Sequence, residues 1–561
     1  VVALTKVDLV EPEWLALVRD EVRELLADTP VAGAPIVATS ARTGTGLEAL
    51  GHALAKVAGE TPEDDATDLA RLPVDRVFTV HGTGTVVTGT LWSGTLQVGQ
   101  RIAILPGGPE ARIRGLQVHG RDVDSVPAGR RAAVALAGPG VDRATLDRGH
   151  TVVADPGWPA TTMLTAHLSL LPDTTWVVEH NQRVRIHLGT AEVMARVVLL
   201  KGNGPVVPGS GAWVQLRLEA PVIARARERL VVRSYSPVTT IGGATVAEPV
   251  PPKRTRLGRA DEIRLEALLA GDAEEAVAAA LDLAGWPGVE GRLLPLVTGR
   301  SPDGVAGVLG QPHGSSPPAG TSAGTATADG ERAMALGDAW IAPGIRRSAV
   351  TRLEEAVDEY HRRHPLRPGI PVEALRSSLP ADAHPALADT VLEDLAEQGR
   401  VRVRSGIVSR PDFRPRPDAR QERVLQRVET VYREAGLTPP NVGELPGELR
   451  DDPDLWPLLK LLSDRGDLEP LTDDLFVWAE TLAGASRRVR ELLGGQTSLG
   501  PADFREALPV TRKHLMPLLA YLDRVGVTVR RQEGREVSLQ DPPRRRTGAR
   551  TGNPGGGSGI S

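Results

Sequence analysis

The chain has no cysteine among its 561 residues, and that absence excludes disulfides, thiolate metal sites and cysteine nucleophiles together. Aromatic side chains make up only 3% and methionines number 4, so much of any core has to be built from Val, Leu, Ile and Ala. No single sign of charge dominates: 66 Lys and Arg stand against 71 Asp and Glu, a formal net charge of −5. That balance does not by itself describe a nucleic-acid binder, although averaging hides a local basic face such as the Arg-rich C-terminal region. No secretory signal and no apolar run long enough to span a bilayer are found, which predicts a soluble, cytoplasmic protein away from membranes. Glycine (60) and proline (46) are abundant instead, implying many turns, short strands and linkers. A chain this long exceeds one hydrophobic core, and several domains are expected.

Residues 72–89, LPVDRVFTVHGTGTVVTG, organise the rest. Val74, Val77, Phe78, Val80, Val86 and Val87 supply β-branched and aromatic bulk, and Gly82-Thr83-Gly84 permits a tight reversal. Alone this is an ordinary structural hairpin. Before it, residues 1–4 form an apolar run suited to a strand buried on both faces, and residues 11–26 have helical spacing at Trp14, Leu17, Val18, Val22 and Leu25. A second buried strand at 36–39 and a second helix at 47–57 complete the rhythm of a parallel α/β sheet. The order of an α/β fragment, two β segments and a helical array resembles that of translational GTPases. Within them, DRVFTVHGTGTVVTGTLWSG (75–94) is similar to the start of the second domain of the selenocysteine-specific elongation factor family.

That resemblance implies roles for the two strand ends. Thr5-Lys6-Val7-Asp8 and Thr39-Ser40-Ala41 lie where open α/β sheets place ligands, and in GTPases such a pair recognises guanine. The implied guanine-binding residues are Thr5, Lys6, Asp8, Ser40 and Ala41: the Asp8 carboxylate accepts two N–H groups of the base edge and the Lys6 stem lies along its plane. Lys6 and Asp8 as an ordinary solvated strand end is the plainer alternative. No GxxxxGK[ST] phosphate loop and no upstream DxxG occur, and Gly82 to Thr85 lacks the lysine and following helix to stand in. The chain opens VVALTKVD inside an apolar strand and is expected to be a fragment. GTP and magnesium are expected in the full-length protein and are expected to bind poorly here, with no turnover.

After an acidic linker at 60–68, short strands alternate with Gly and Pro turns, predicting two antiparallel β-barrels over 70–155 and 160–250. In residues 111–119, Arg112 and Arg114 face one way and Ile113 the other, with a phase slip at Gly115 that predicts a bulge. Strands are predicted at 164–170, 183–188, 193–200, 212–218 and 230–233. VRIHLGT (184–190), residues 225–233 and Thr240-Ile241-Gly242-Gly243 resemble the same family's third domain. In that family the second domain holds the aminoacyl end of the charged tRNA. The resemblance assigns this pocket to Asp75, Arg76 and Arg131, the last in Ala128-Gly129-Arg130-Arg131, where the family has Gln in place of Arg130. Guanidinium groups in a partly desolvated pocket favour a selenolate over neutral serine. A surface ion pair of little worth is the alternative.

From residue 257 the pattern turns helical and repeats. LEDL before Gly399, LKLL before Gly466 and LAYL before Gly526 recur 67 and then 60 residues apart, each read as a helix closed by Gly and followed by a short strand. Four winged-helix modules are expected, at 255–345, 346–415, 418–482 and 484–541, with a disordered insert at 301–330 in the first and a disordered tail at 542–561. FREALPVTRKHLMPLLAYLDRVGVT (504–528) resembles the family's RNA-binding winged helix, which grips an mRNA hairpin beside the recoded stop codon. The residues so implied are Arg512 and Lys513 at the start of its recognition helix, with Arg524, Arg530 and Arg531 extending the face. A solvated, charged helix end is the plainer reading.

The fold class expected is therefore multidomain: an α/β GTPase remnant, two β-barrels and a tandem winged-helix array. The function implied is delivery of selenocysteinyl-tRNA to the ribosome at a UGA marked by an mRNA hairpin, by a monomer with no catalytic residue or metal ligand of its own in this chain. The rival is a non-enzymatic regulator whose winged helices read nucleic acid. A general elongation factor resembling Tu is disfavoured by the helical extension.

Overall fold

The computed structural model describes residues 1–27, 29–60, 66–155, 157–202, 204–310 and 332–539. The expected disorder of the tail at 542–561, and of most of the insert, lies outside the described residues. The chain divides into two compact units, Val1–Ile345 and Arg346–Ser561.

The first unit opens with two parallel strands, Val2–Leu4 and Ile36–Ala38, in register Val2 to Ile36 through Leu4 to Ala38. Helices Pro12–Leu26 and Leu47–Glu60 follow them. The expectation that the first strand is buried on both faces fails. Val2 and Leu4 are half-buried, Ala3 is exposed, and neither helix buries any described residue. The sheet of this fragment has only two strands among the described residues, so the Trp14 and Leu17 stripe keeps its helical spacing but stays 58% exposed at both residues.

The next element is the expected hairpin, Arg76–Val80 against Gly84–Thr90. Its turn needs left-handed backbone at Gly82 (φ 77°) and Gly84 (φ 91°), which costs glycine nothing. At Gly89 the demand is spatial, since a Cβ there would lie 2.1 Å from the Pro73 carbonyl oxygen. Around this hairpin an eight-stranded antiparallel sheet curls over one core of Leu72, Val87, Ile104, Ile113, Val134 and Val152. The slip predicted near Gly115 is present: Ala135 pairs Gly115 and Leu136 pairs Ile113, so Arg114 bulges out.

Strands Ala160–Leu170, Gln182–Leu188, Ala191–Leu199, Gly211–Ile223, Arg229–Ser234 and Thr240–Glu248 close a six-stranded barrel. Its alternating inward residues, among them Leu164, Val184, Ile186, Val197, Val214, Val232 and Val246, form a second core.

Against that barrel pack helices Arg259–Ala270 and Ala273–Ala284, burying Leu265, Leu268 and Ala280 on Val198, Leu200 and Trp213. A small sheet of Val289–Glu290, Met334–Leu336 and Ala339–Ile341 completes this helical element. The insert starts later than expected. Pro302–Leu309 is a helix, capped by Ser301 accepting from the Gly304 amide at 3.3 Å and ended by Gly310 at φ 65°, with Val305 and Leu309 buried. Ser-Pro-Asp is a helix start, and it precedes the low-complexity composition rather than belonging to it.

In the second unit three winged-helix units follow one another. Helices Pro343–Arg363, Val372–Arg376 and Leu387–Glu397 precede strands Arg402–Arg404 and Ile407–Ser409. Ala419–Glu434 and Leu455–Arg465 precede Leu468–Pro470 and Phe476–Trp478. Ala479–Leu493, Phe504–Ala507 and Arg512–Arg524 precede Thr528–Arg531 and Gly534–Val537. The three glycines of the repeat, Gly399, Gly466 and Gly526, all sit just past a helix at φ 69°, 81° and 74°. Among the described residues no helix is long and apolar enough to cross a membrane.

Candidate nucleotide and nucleic-acid interfaces

The two strand ends of the α/β fragment meet. The Leu4 carbonyl accepts from the Thr39 amide at 2.7 Å and the Thr39 carbonyl accepts from the Val7 amide at 3.3 Å, which sets Asp8 beside Ser40. The Ser40 hydroxyl donates to Asp8 Oδ1 and the Arg42 Nε donates to Oδ2 at 2.7 Å. Those two bonds, with the Ser40 hydroxyl foremost, hold the Asp8 carboxyl below its ordinary range. Ser40 is buried, whereas Thr5, Lys6 and Ala41 are exposed, and Lys6 takes left-handed backbone at φ 60°. A carboxylate has about four lone-pair sites, so Asp8 retains room for two donors from a purine edge. Sequence reasoning missed Arg42, whose only signal is its position two residues beyond Ser40.

In the first barrel, the backbone brings Asp75 and Arg131 together from strands far apart in sequence. Arg131 opens its strand opposite Thr90, and the Asp75 amide donates to the Thr88 carbonyl at 2.8 Å. Both terminal guanidinium nitrogens of Arg131 reach Asp75, with Nη2 to Oδ1 at 3.0 Å, and the Thr88 hydroxyl donates to Oδ1 at 2.7 Å. Burial pushes the Asp75 pKa up, but the Arg131 and Thr88 bonds outweigh it and the net direction is down. The partly desolvated pocket expected here is not seen. The Arg131 side chain is 52% exposed and its charge is matched by Asp75, while Arg76 is exposed and makes no ion pair among the described residues. Both guanidinium groups reach solvent because they stand on the outer face beside the sheet edge formed by Arg76–Val80, with no described residue covering them.

The second barrel carries a basic face that sequence reasoning missed. Arg183, Arg196 and Arg217 lie directly opposite one another across three strands, and Arg185 lies opposite Arg233. Like charges so placed repel. Glu219 takes Arg183 at 2.6 and 2.8 Å and Glu192 takes Arg185. Among the described residues Arg196, Arg217 and Arg233 form no salt bridge. The Nε atoms of Arg185, Arg217 and Arg233 and the Nε2 of His187 are buried without a hydrogen bond, and burial lowers the pKa of His187. Arg183 also stacks over Tyr235 at 4.8 Å. The signal lies in Arg183, Arg185 and His187, every second residue of one strand, which are outward by period.

In the last winged helix, Arg512 and Lys513 stand at the start of the helix Arg512–Arg524, as expected. Their states differ. Lys513 Nζ pairs with Glu444 at 2.6 Å, whereas Arg512 is exposed and unpaired among the described residues. Arg524 donates to the Pro470 carbonyl at 3.2 Å and faces Glu469, Arg531 pairs with Glu536 at 3.0 Å, and Arg530 is exposed without an acid partner among the described residues. The face of five cations therefore offers Arg512 and Arg530 unneutralised. Among the described residues no group of three His, Cys, Asp or Glu is placed to hold a metal.

Family models match four stretches. Residues 84–153 match elongation factor Tu domain 2, and 161–253 match the selenocysteine-specific elongation factor β-barrel domain. Residues 355–409 and 491–537 each match an elongation factor SelB winged helix. The selenocysteine-specific elongation factor of Desulfomicrobium baculatum is 33% identical over 546 residues, 96% of this chain and 82% of that protein. That of Escherichia coli K12 is 28% identical over 545 residues, 96% of this chain and 81% of the relative. The crystal structure of a bacterial selenocysteine-specific elongation factor, EF-Sec, overlays with a TM-score of 0.55 at 22% identity, covering 96% of this chain and 80% of that one. This last likeness concerns the fold.

Proposed function

Since this chain belongs to the family of selenocysteine-specific elongation factors, we propose that it acts in the delivery of selenocysteinyl-tRNA to the ribosome at a UGA codon marked by an mRNA hairpin, a delivery that depends on GTP in the full-length protein, where the Asp8 and Ser40 strand ends would hold the guanine base. The observation that carries this reading is the order of its sites along one chain. A guanine-type carboxylate comes first, then a barrel pair with a cationic outer face, then a winged helix whose N-terminal Arg512 is free among the described residues. A winged-helix regulator has no use for the first two.

Each site has a distinct task. Asp8 selects guanine by accepting two donors that adenine lacks, and Ser40 and Arg42 keep that carboxylate ionised. Bound in the full-length protein, GTP would supply the switch between tRNA-holding and tRNA-releasing states, and the part of Asp8 would be to hold the base. Arg76 meets the selenolate directly, since Arg131 is committed to Asp75 and acts by fixing the strand edge. Arg196 and Arg217, the members of the row that form no salt bridge among the described residues, lie against tRNA phosphates, which relieve their mutual repulsion, while Arg183 stays with Glu219. Arg512 and Arg530 grip the mRNA hairpin, and Arg512 places its charge at a helix N-terminus where backbone amides also favour phosphate.

The test is a titration of the chain with the hairpin that follows an in-frame UGA in the same organism, beside a loop-scrambled hairpin and a DNA duplex, at several salt concentrations. Tight binding that depends on the loop and falls on Arg512→Ala is expected. Equal, salt-sensitive binding to all three would put the regulator reading ahead.

A further inference from the structure

The winged-helix unit that begins the second compact unit has its charges reversed relative to the last one. Its third helix, Leu387–Glu397, contains Asp389, Glu393, Asp394 and Glu397 and no Lys or Arg. The last unit's equivalent begins Arg512-Lys513. Arg376 pairs with Asp389 and Arg346 with Asp394, so the helix presents no free cation to a polyanion and keeps Glu393 and Glu397 without a cationic partner among the described residues.

Its wing is the opposite. Residues 400–416 carry six arginines, at 400, 402, 404, 410, 414 and 416, against the single acid Asp412. Two of the six are anchors. Arg410 donates from Nε and Nη2 to Asp358 at 2.7 Å each and from Nη1 to Glu354 at 2.7 Å, while Arg400 reaches the other oxygen of Glu354 at 2.6 Å. These bonds tie both ends of the hairpin to the helix Pro343–Arg363.

The other four side chains have no partner among the described residues. Arg402 and Arg404 lie on one face of an edge strand all three of whose residues are exposed, and neither side chain has an acidic or hydrogen-bonding partner among the described residues. The strand leads into a tight turn with Ser405 at φ 50° and Gly406 at φ 76°, so the arginines stand on a short, stiff hairpin. Arg414 and Arg416 follow on an extended segment whose burial alternates: Pro411, Phe413, Pro415 and Pro417 are half-buried, and Asp412, Arg414 and Arg416 are exposed. That segment is pinned. The Arg410 amide donates to His361 Nε2 at 3.2 Å, Phe413 stacks on the His361 ring with centroids 3.4 Å apart, and the Arg416 amide donates to the Pro365 carbonyl at 3.1 Å. A merely solvated charge run needs no such scaffold.

We propose that this wing and the segment after it form a second RNA contact, separate from the hairpin-reading helix, in which Arg402, Arg404, Arg414 and Arg416 bind the phosphate backbone of a structured RNA irrespective of its sequence. Backbone binding rather than base reading follows from the residues present. Four guanidinium groups on strand and extended chain are offered, with no helix to enter a groove and no exposed aromatic between them on which a base could stack. The inference rests on the reading of the chain as an RNA-handling elongation factor, and its test separates the two.

The test compares the whole chain with a variant carrying Arg402→Gln, Arg404→Gln, Arg414→Gln and Arg416→Gln, using two probes: a blunt RNA duplex without a loop, and the UGA-associated hairpin. None of the four side chains has a partner among the described residues, so the variant is expected to melt with the parent. A converse variant, Asp412→Asn, removes the lone acid and is expected to tighten duplex binding. For the fourfold variant the slope of log K against log salt for the duplex is expected to become shallower by roughly 3, as for the loss of about four phosphate contacts, while the preference for the correct hairpin loop stays. An unchanged duplex affinity and slope overturns the wing contact and leaves the hairpin reading standing. Loss of loop preference on Arg512→Ala with a wild-type duplex slope supports both sites as separate, and loss of duplex binding on Arg512→Ala alone assigns all RNA contact to the last unit and overturns the proposal.

Discussion

The Nζ of Lys513 lies 2.6 Å from Oε2 of Glu444, so one of the two cations at the start of the last helix is already answered by a residue of the preceding winged-helix unit. The same salt bridge, led by the Lys513 hydrogen bond, holds the Glu444 carboxyl below its ordinary range. Adjacent residues of one motif thus have unequal parts. Arg512→Ala is expected to weaken hairpin binding about tenfold or more, the size of a lost charge-assisted hydrogen bond. Lys513→Ala is expected to change it by less than about threefold. Glu444→Gln releases Lys513, and hairpin binding is expected to tighten with a salt slope steeper by roughly 0.7 to 0.9. Filter binding at several salt concentrations reads all three, and equal losses for Arg512→Ala and Lys513→Ala would remove the distinction.

At the first barrel the Asp75 and Arg131 pair makes a prediction in pH. The folded-state pKa of Asp75 is lowered, so its contribution to stability is present above the unfolded value of about 3.9 and is lost as pH falls through the folded value. Because half of Arg131 faces solvent, water screens the pair and its worth is about 1 kcal/mol. Asp75→Asn is expected to be less stable than the parent by that amount near neutrality, and the difference is expected to vanish as pH falls below the lowered folded-state value. Urea unfolding at several pH values measures the difference. In the full-length protein, Arg76→Ala is expected to reduce the preference for selenocysteinyl- over seryl-tRNA more than Arg131→Ala does, and the reverse order would return the direct role to Arg131.

Local patterns that depend on near neighbours were legible in the sequence. The turn glycines at 82 and 84, the bulge beside Gly115 and the helix-stopping glycines 399, 466 and 526 are backbone demands visible in a few residues. The helix Pro302–Leu309 is hidden by the low-complexity stretch on its C-terminal side, although Ser301-Pro302-Asp303 is a start signal. What sequence spacing could not show was which charges cancel. Lys513 meets Glu444 from 69 residues away, Arg131 meets Asp75 from 56, and the row of Arg183, Arg196 and Arg217 exists only once three strands are in register. Exposure of the Trp14 face likewise depends on how many strands the sheet has, not on helical spacing.

Phe504 is fully buried in the core of the last unit with Val489, Leu508, Leu515, Leu519 and Val527. Phe504→Ala leaves a cavity there, and a loss of about 3 to 5 kcal/mol is expected. That unit shares a further cluster, Val477, Leu482 and Leu518, with the winged helix before it. Part of the loss should therefore pass to its neighbour, and hydrogen exchange is expected to quicken in both Ala479–Leu493 and Phe476–Trp478 while the six-stranded barrel keeps its protection. Faster exchange confined to residues 504–537 would show that the shared cluster does not couple them.

Arg225 is the residue on which the first unit's parts converge. Its Nη1 meets Asp68 Oδ2 at 2.6 Å in the segment leading into the first barrel, its Nε donates to the Pro295 carbonyl at 3.1 Å, and its Nη2 donates to the Arg300 carbonyl at 2.6 Å in the helical element beyond. The side chain is 9% exposed, so removing it strands a carboxylate and two carbonyls where water reaches poorly. Nearby, Arg71 is held by Glu228 between the rings of Trp92 and Trp158, at 5.0 and 5.2 Å, and reinforces the same junction. Arg225→Ala is expected to cost about 3 to 5 kcal/mol, the range for breaking a buried ion pair from one side. Lysine restores the charge but not the planar fork that reaches three acceptors in three directions, so Arg225→Lys is expected to recover less than half of the loss. Thermal unfolding followed by tryptophan fluorescence near Trp92 and Trp158 measures both variants, and full rescue by lysine would reduce the junction to a single ion pair with Asp68.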